Sequence, residues 1–417
     1  MIAMGSIDER PLRICFVSAD YLSDWSSKSV GVGGIGTHTF TLARAVAELG
    51  HEVTVLTERG EPPWEYQDGN VKVHALTPTS SRMWKLGHWV PLPWIRRSFA
   101  ANRALRTLHH RYGFDMIRFA DGNGEGVRFS YDPFIPFDVH LMGPATVLRR
   151  WDGQASNSLR ARFEEFVERR PASRATVLTC ATKRFADLMA SEWSLERSRI
   201  EIIRNPLNLN AFQPASQARS SDRRVVLFAS LLQRRKGVHT VVAAMPEIIR
   251  RNPDVEFWFV GKGTRTADGV FMRDVIQHAL GESGVLEHAR FLESMHPREL
   301  TGLYQRASVV AVPALNDVFP NVALEAMACG TPCVVSTHTG VDELINDGES
   351  GYIVPPDDPP ALTAALLRAL ALSDDAQVAM GRAARLAIER ECAAPVIAAQ
   401  TVQSYRKALS HGRVARS

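Results

Sequence analysis

Cysteine is scarce in this 417-residue chain, and what there is lies scattered. Cys15, Cys180, Cys329, Cys333 and Cys392 are odd in number and show neither a disulfide framework nor zinc-ligand spacing. That usage points to a reducing compartment, and the expected location is cytoplasmic. Cys329 and Cys333 flank a turn without a neighbouring His or Cys, and read as packing residues. Long apolar runs are also missing. Nothing approaches the ~18 residues that argue for a membrane span, and the N-terminus has no apolar stretch of signal length. Neither sign of charge dominates: a formal charge of +4 is too mild to imply a nucleic-acid partner. It suits ordinary solubility, an anionic substrate or an anionic membrane surface. Asp and Glu are absent from Ser81 to Phe114, a stretch holding Arg82, Lys85, Arg96, Arg97, Arg103, Arg106 and Arg111. Trp84, Trp89 and Trp94 are interleaved there. Basic plus aromatic residues suit a peripheral contact of residues 81–114 with anionic membrane, at an inner membrane face, or a lipid-linked acceptor. The plainer reading folds the tryptophans inward.

With 45% hydrophobic and 23% charged residues, the chain can build two or three domains with sizeable cores. Leu12 to Ser18 reads as a buried strand. Thr39 to Leu49 has a helical apolar period stopped by Gly50, and His51 to Thr57 is a second apolar strand. That is a βαβ unit and implies a parallel sheet. The same grammar restarts with a strand at Arg224 to Ser230, a basic loop to Gly237, a helix from Val238 to Arg250 and a strand from Val255 to Val260. Between the two, residues 206–222 are rich in Pro, Asn, Gln and Ser and read as a linker. The expected fold class is therefore α/β, with two doubly wound, Rossmann-like domains at residues 10–205 and 223–395. A last helix is expected within 396–417. In such folds ligands bind at the carboxyl ends of the strands.

Three motifs carry chemistry. Gly31-Val32-Gly33-Gly34-Ile35-Gly36 fits the dinucleotide-binding pattern, with Glu58 closing a strand beyond it, so a nicotinamide-dependent oxidoreductase is one alternative. About a dozen polar residues separate these glycines from their strand, whereas a dinucleotide turn is tight. A glycine loop opening a helix also suits a close approach by a phosphate or acceptor, with Gly34 and Gly36 as contacts. Gln233-Arg234-Arg235-Lys236-Gly237 places Lys236 at a helix entrance, where it suits a diphosphate or is simply a solvated basic loop. Most informative is Asn316 to Gly330, in which Asp317 precedes a helix expected from about Asn321 to Cys329 and Glu325 lies within it. Eight residues of helix rise span ~12 Å, about the reach from sugar to ribose in a nucleotide sugar. The plainer reading makes Asp317 a cap and Glu325 a surface acid. Glu325 is flanked by Leu324, Ala326, Met327 and Ala328, and a buried acid there needs a partner.

In this order the motifs resemble the retaining glycosyltransferases of the GT-B fold, specifically glycosyltransferase family 4 (group 1). The resemblance includes Gly33-Gly34-Ile35-Gly36, Phe114-Asp115-Met116-Ile117 leading to Asp121-Gly122, and Ile203-Arg204-Asn205-Pro206. It continues through Arg235-Lys236-Gly237, Phe259-Val260-Gly261, the acid-seven-residues-acid motif at Asp317 and Glu325, and Gly348-Glu349-Ser350-Gly351. It implies two domains facing each other across a cleft, with the C-terminal helix packing back on the first. It implies transfer of a sugar, with retention, from a nucleoside-diphosphate sugar to an unidentified acceptor. UDP is the first guess, and no cofactor or metal is implied.

The resemblance assigns Glu325 to the ribose hydroxyls and Lys236 to the diphosphate. Asp317, where the family more often has Glu, and the backbone through Phe319, Asn321 and Val322 would hold the sugar. Pro320 replaces a frequent Gly. The family's extra Arg falls at Ser230 or Leu231, so Arg235 or Arg234 would substitute. The family's His before a Gly-Pro turn is Met142 here; His140, two residues earlier on the same side of a strand, is the candidate. That departure keeps open a nucleotide-sugar-binding protein with weak or partner-dependent activity.

Overall fold

A computed structural model describes residues 10–21, 34–58, 65–76, 92–122, 124–154, 158–215, 224–266, 268–295 and 297–414. These fall into two compact units. One runs to Pro206 and takes in the C-terminal segment from Ala394; the other is Leu207–Ala393. Each is a parallel sheet flanked by helices.

In the first unit the strands are β1 (Arg13–Ser18), β2 (Glu52–Glu58), β3 (Glu65–Asp68), β4 (Val71–Leu76), β5 (Met116–Ala120), β6 (Phe137–Leu141), β7 (Val177–Cys180) and β8 (Ile200–Ile202). Their order is β3-β4-β2-β1-β5-β6-β7-β8, parallel throughout except that β3 runs against β4. Ile14, Cys15, Phe16 and Val17 of β1 are all buried, as expected for a central strand covered on both faces. The helices are α1 (Gly34–Glu48), α2 (Leu92–Tyr112), α3 (Val127–Tyr131), α4 (Ala145–Trp151), α5 (Leu159–Arg174) and α6 (Lys183–Trp193). The glycines of the first motif lie partly outside the described residues: Gly34 opens α1, and Gly36 is buried in its first turn.

The second unit has strands β9 (Val225–Ala229), β10 (Glu256–Val260), β11 (Ala289–Leu292), β12 (Val309–Val312), β13 (Cys333–Ser336) and β14 (Tyr352–Val354). Their order is β11-β10-β9-β12-β13-β14, all parallel. Its helices are α7 (Val238–Arg251), α8 (Met272–Glu282), α9 (Pro297–Arg306), α10 (Asn321–Ala328), α11 (Pro359–Leu370) and α12 (Asp374–Glu391). Val238, Val241, Met245, Ile248 and Ile249 form the buried stripe of α7 and pack on Phe228, Phe257 and Phe259 of the sheet. At the end of α10 the amide of Thr331 donates to Ala326 O and that of Gly330 to Met327 O, with Gly330 at φ +69°. That is a Schellman cap, and it needs the glycine. The expected linker begins inside this unit: Leu207 donates to Cys392 O at 2.7 Å and Phe212 is buried. Residues 216–223 lie outside the described set.

The last helix, α13 (Ala394–Val414), lies on α1 of the first unit, with Ile397, Ala398, Val402 and Tyr405 joining the core of Leu42, Ala43 and Val46. A buried polar network pins it. Arg118 of β5 donates to Asp138 of β6 at 2.5 Å, and the Tyr405 hydroxyl donates to the same carboxylate oxygen at 2.8 Å. All three side chains are buried. Tyr405→Phe removes one donor from a buried carboxylate, so we predict a loss of ~1–3 kcal/mol in urea unfolding. A loss below ~0.5 kcal/mol, the ordinary surface effect, would contradict the pinning.

Candidate functional site

The second sheet reverses its strand order between β9 and β12. The carboxyl ends of those two strands are where an open α/β sheet binds its ligand. The Lys236 loop follows β9, and the Asp317 turn follows β12. Gly237 lets the two approach. It sits at φ +79°, and a Cβ there would stand 1.9 Å from Pro313 O. Only glycine meets both conditions. Arg235 O then accepts from the Leu315 amide at 2.8 Å, and the buried Arg235 guanidinium donates to Asn316 O at 3.3 Å. Arg235 is thus bound into the turn, while the exposed Arg234 faces Asp357.

This stitching holds Lys236 Nζ against Asp317 Oδ2 at 2.5 Å. The other carboxylate oxygen of Asp317 accepts from the Val318 amide at 2.9 Å, and the Asp317 amide donates to His338 O at 2.8 Å. The carboxylate is oriented by its own backbone as well as by the lysine. Val318 and Phe319 are buried and anchor the turn beneath. Pro320 then starts α10 without a side-chain cap. The first amides of a helix have no intrahelical partner, so the Asn321 and Val322 N–H groups stand at the entrance with the helix's partial positive charge.

Glu325, one turn further, is only 7% exposed. Its partner is Tyr304 of α9, whose hydroxyl donates to Oε2 at 2.7 Å. Burial raises the carboxyl pKa to about 7, against the lowering effect of that hydrogen bond. Tyr304 is pushed up in turn, by burial first and by Glu325 second. Sequence reading missed Tyr304. The signal available was indirect: an acid inside an apolar helix demands a donor from some other element.

The first unit holds the remaining candidates. His140 is 1% exposed; its Nδ1 meets Thr179 Oγ1 at 2.8 Å and its ring stacks on His38 with centroids 4.6 Å apart. Because Thr179 donates to Asp138 at 3.2 Å, it accepts from His140 Nδ1, and Asn205 lies beside the ring. Burial and the nearby Arg118 hold both imidazoles well below the usual histidine range. Two buried acids clamp the turn that contains Met142. Asp121 Oδ2 accepts from the Met142 and Gly143 amides at 2.8 and 3.0 Å, and Glu168 accepts from the Ala145 and Thr146 amides. Neither acid was singled out in the sequence as a binding group.

Glu58, which a dinucleotide reading needs for a ribose, is bound by both arms of Arg97 at 2.6 and 2.9 Å. Three arginines of the acid-free stretch have thus found acids elsewhere: Arg97 with Glu58, Arg106 with Asp132 and Arg111 with Glu65. Trp94 packs near Phe163 with the Arg160 guanidinium over its ring. Phe99 is 56% exposed. Residues 81–91, with Trp84 and Trp89, lie outside the described set. Among the described residues no group of three or more His, Cys, Asp or Glu side chains is arranged to hold a metal.

Known proteins resemble this chain in sequence and in fold. A family model described as "Glycosyltransferase Family 4" matches residues 32–211, and one described as "Glycosyl transferases group 1" matches residues 223–372. A D-inositol 3-phosphate glycosyltransferase of Paenarthrobacter aurescens is 28% identical over 390 residues, covering 91% of this chain and 94% of that protein. Among solved structures, sucrose-phosphate synthase from Thermosynechococcus elongatus superposes with a TM-score of 0.76 at 24% identity, covering 96% of this chain and all of the other. Anabaena HepE, solved with UDP-glucose, has a TM-score of 0.68 at 17% identity over 94% of this chain and 100% of its own.

The Tyr304–Glu325 bond predicts a pH-dependent cost. A carboxyl raised above its unfolded value contributes most below the unfolded pKa and loses that contribution as pH rises through about 7. Tyr304→Phe removes the donor and deepens the loss. We predict ~1–3 kcal/mol lower stability at pH 8 and a smaller deficit at pH 5.5, by urea unfolding at both values. Equal deficits would contradict the pairing.

Proposed function

We propose a donor and a mechanism on one premise: the chain belongs to the group 1, family 4 glycosyltransferases and is a sugar-transferring enzyme. The donor is a nucleoside-diphosphate sugar, with UDP as the first choice. Lys236, Asp317 and Glu325, gathered where the second sheet reverses its order, carry this reading. That similar folds have been solved with UDP and with UDP-glucose supports it further.

Glu325 accepts hydrogen bonds from the ribose hydroxyls. Ionised, it offers two oxygens to a diol, and the diol replaces water as its solvation. Lys236 leaves Asp317 for the diphosphate, joined by the Asn321 and Val322 amides at the positive end of α10. Asp317, released, positions the transferred sugar together with the backbone from Val318 to Asn321. Arg235 positions the turn and does not itself reach the phosphates. The bond from the anomeric carbon to the phosphate oxygen breaks as one to the acceptor oxygen forms on the same face. The acceptor's proton passes to the departing phosphate oxygen. Fixed charges at Lys236 and α10 stabilise the leaving group, so this scheme uses no metal. Gly34 and Gly36, opening α1, leave room for the acceptor side. His140 acts at a remove, through the carboxyl edge of β6.

A peripheral membrane contact through residues 81–114 belongs to the same proposal. Ile95 and Phe99 are exposed on α2 beside the exposed Arg96 and Arg103. No described helix is long and apolar enough to cross a membrane.

Titration with UDP-glucose tests the donor site, because its diphosphate has no proton to exchange near neutrality. We predict tightening affinity from pH 6 to pH 8 as Glu325 ionises. Glu325→Gln should weaken binding ~10–100-fold at pH 8 and flatten the profile. Lys236→Ala should lower kcat by ~10²–10³. Wild-type affinity and pH profile in Glu325→Gln would refute the ribose assignment. For the membrane contact, sedimentation with vesicles should increase with anionic lipid content and fall in Arg96→Glu/Arg103→Glu; indifference to lipid charge would refute it.

A further inference from the structure

The first sheet also reverses its strand order, between β1 and β5. By the same rule, ligands of that unit belong at the carboxyl ends of those two strands. Asp121 is the first residue past β5, and Glu125 follows within the same segment. They are 3% and 5% exposed. Each has one carboxyl oxygen, Asp121 Oδ1 and Glu125 Oε1, that is buried without a hydrogen-bond partner. Folded proteins rarely leave such atoms unpaired. The Met142 and Gly143 amides hold Asp121 Oδ2, which fixes the carboxyl plane and so the direction of the unused oxygen. Burial lifts the two groups to about 7 and about 8, so near neutrality the edge offers both donors and acceptors.

The surroundings narrow the ligand. Asp20 past β1, Glu58 at the end of β2 and Arg97 of α2 face Glu125, and Glu168 of α5 faces Asp121. Arg97 is committed to Glu58. Among the described residues acids therefore outnumber bases here, and a phosphate would meet carboxyl groups with no uncommitted cation. Hydroxyl or ammonium groups would meet the partners they need.

We propose that Asp121 and Glu125 bind the reacting end of the acceptor, and that this end is an unphosphorylated polyol or amino sugar. The proposal rests on the transferase reading above. Matched probes test it with the full chain: myo-inositol against inositol 3-phosphate, glucose against glucose 6-phosphate, and glucosamine against glucosamine 6-phosphate. Binding of each is measured by calorimetry with and without UDP, and transfer from UDP-glucose is measured in parallel.

The expected result is at least tenfold tighter binding of the unphosphorylated member of a pair. D121N and E125Q should each weaken that binding at least tenfold, with UDP affinity within twofold of wild type. D121N keeps an oxygen for the two amides. E125Q disturbs no amide of another residue and stays readable should D121N fold poorly. Preference for the phosphorylated members, binding of none of the six, or full acceptor affinity in E125Q and in folded D121N would each overturn the proposal; the last would mean that the two oxygens meet only internal water. Failure of UDP-glucose to bind would instead refute the donor reading, while the sugars' own binding would still report on this edge.

Discussion

Lys236 and Asp317 are two charges that a folded chain would ordinarily leave in water. Here they are mostly buried and in contact. The contact depends on how closely the loop after β9 meets the end of β12, and that depends on Gly237 having no side chain. Once the backbones are stitched through Arg235 and Leu315, lysine and aspartate neutralise each other. Removing one partner of such a pair is costly, because it leaves the other buried and unpaired. A ligand that supplies a new counter-charge to Lys236 relieves that constraint and frees Asp317 at the same moment.

Glu325 is governed by the same physics with a different remedy. Among the described residues its partner is a tyrosine hydroxyl and no cation, and burial raises its carboxyl pKa to about 7. The first unit repeats the theme: backbone amides hold Asp121 Oδ2, while among the described residues Asp121 Oδ1 and Glu125 Oε1 have no hydrogen-bond partner. In both sheets these acids lie on the segments that follow a strand flanking the reversal of strand order.

Much of the architecture was legible from residues alone. Runs such as Arg13 to Ser18 and Val225 to Ala229 are buried on both faces, so they read as strands whatever surrounds them. The α10 helix was expected from about Asn321 to Cys329, and it runs Asn321–Ala328 with Gly330 just past its end. Long-range partners were not legible. Tyr304 stands on a different helix from Glu325, and Glu58, Asp132 and Glu65 pair with arginines from a stretch that reads in isolation as uniformly basic. His140 shares the limit: its period on β6 was readable, but the His38 ring covering it was not. Asp121 and Glu168 were invisible as a clamp, because their ligands are backbone amides that any sequence would supply.

A structure of the protein with UDP-glucose bound measures the central point most directly. The account predicts that Lys236 Nζ leaves Asp317 and comes within ~3 Å of a phosphate oxygen, while Glu325 accepts from the ribose hydroxyls at similar distance. A complex in which the Lys236–Asp317 pair stays intact and the diphosphate lies elsewhere would contradict it.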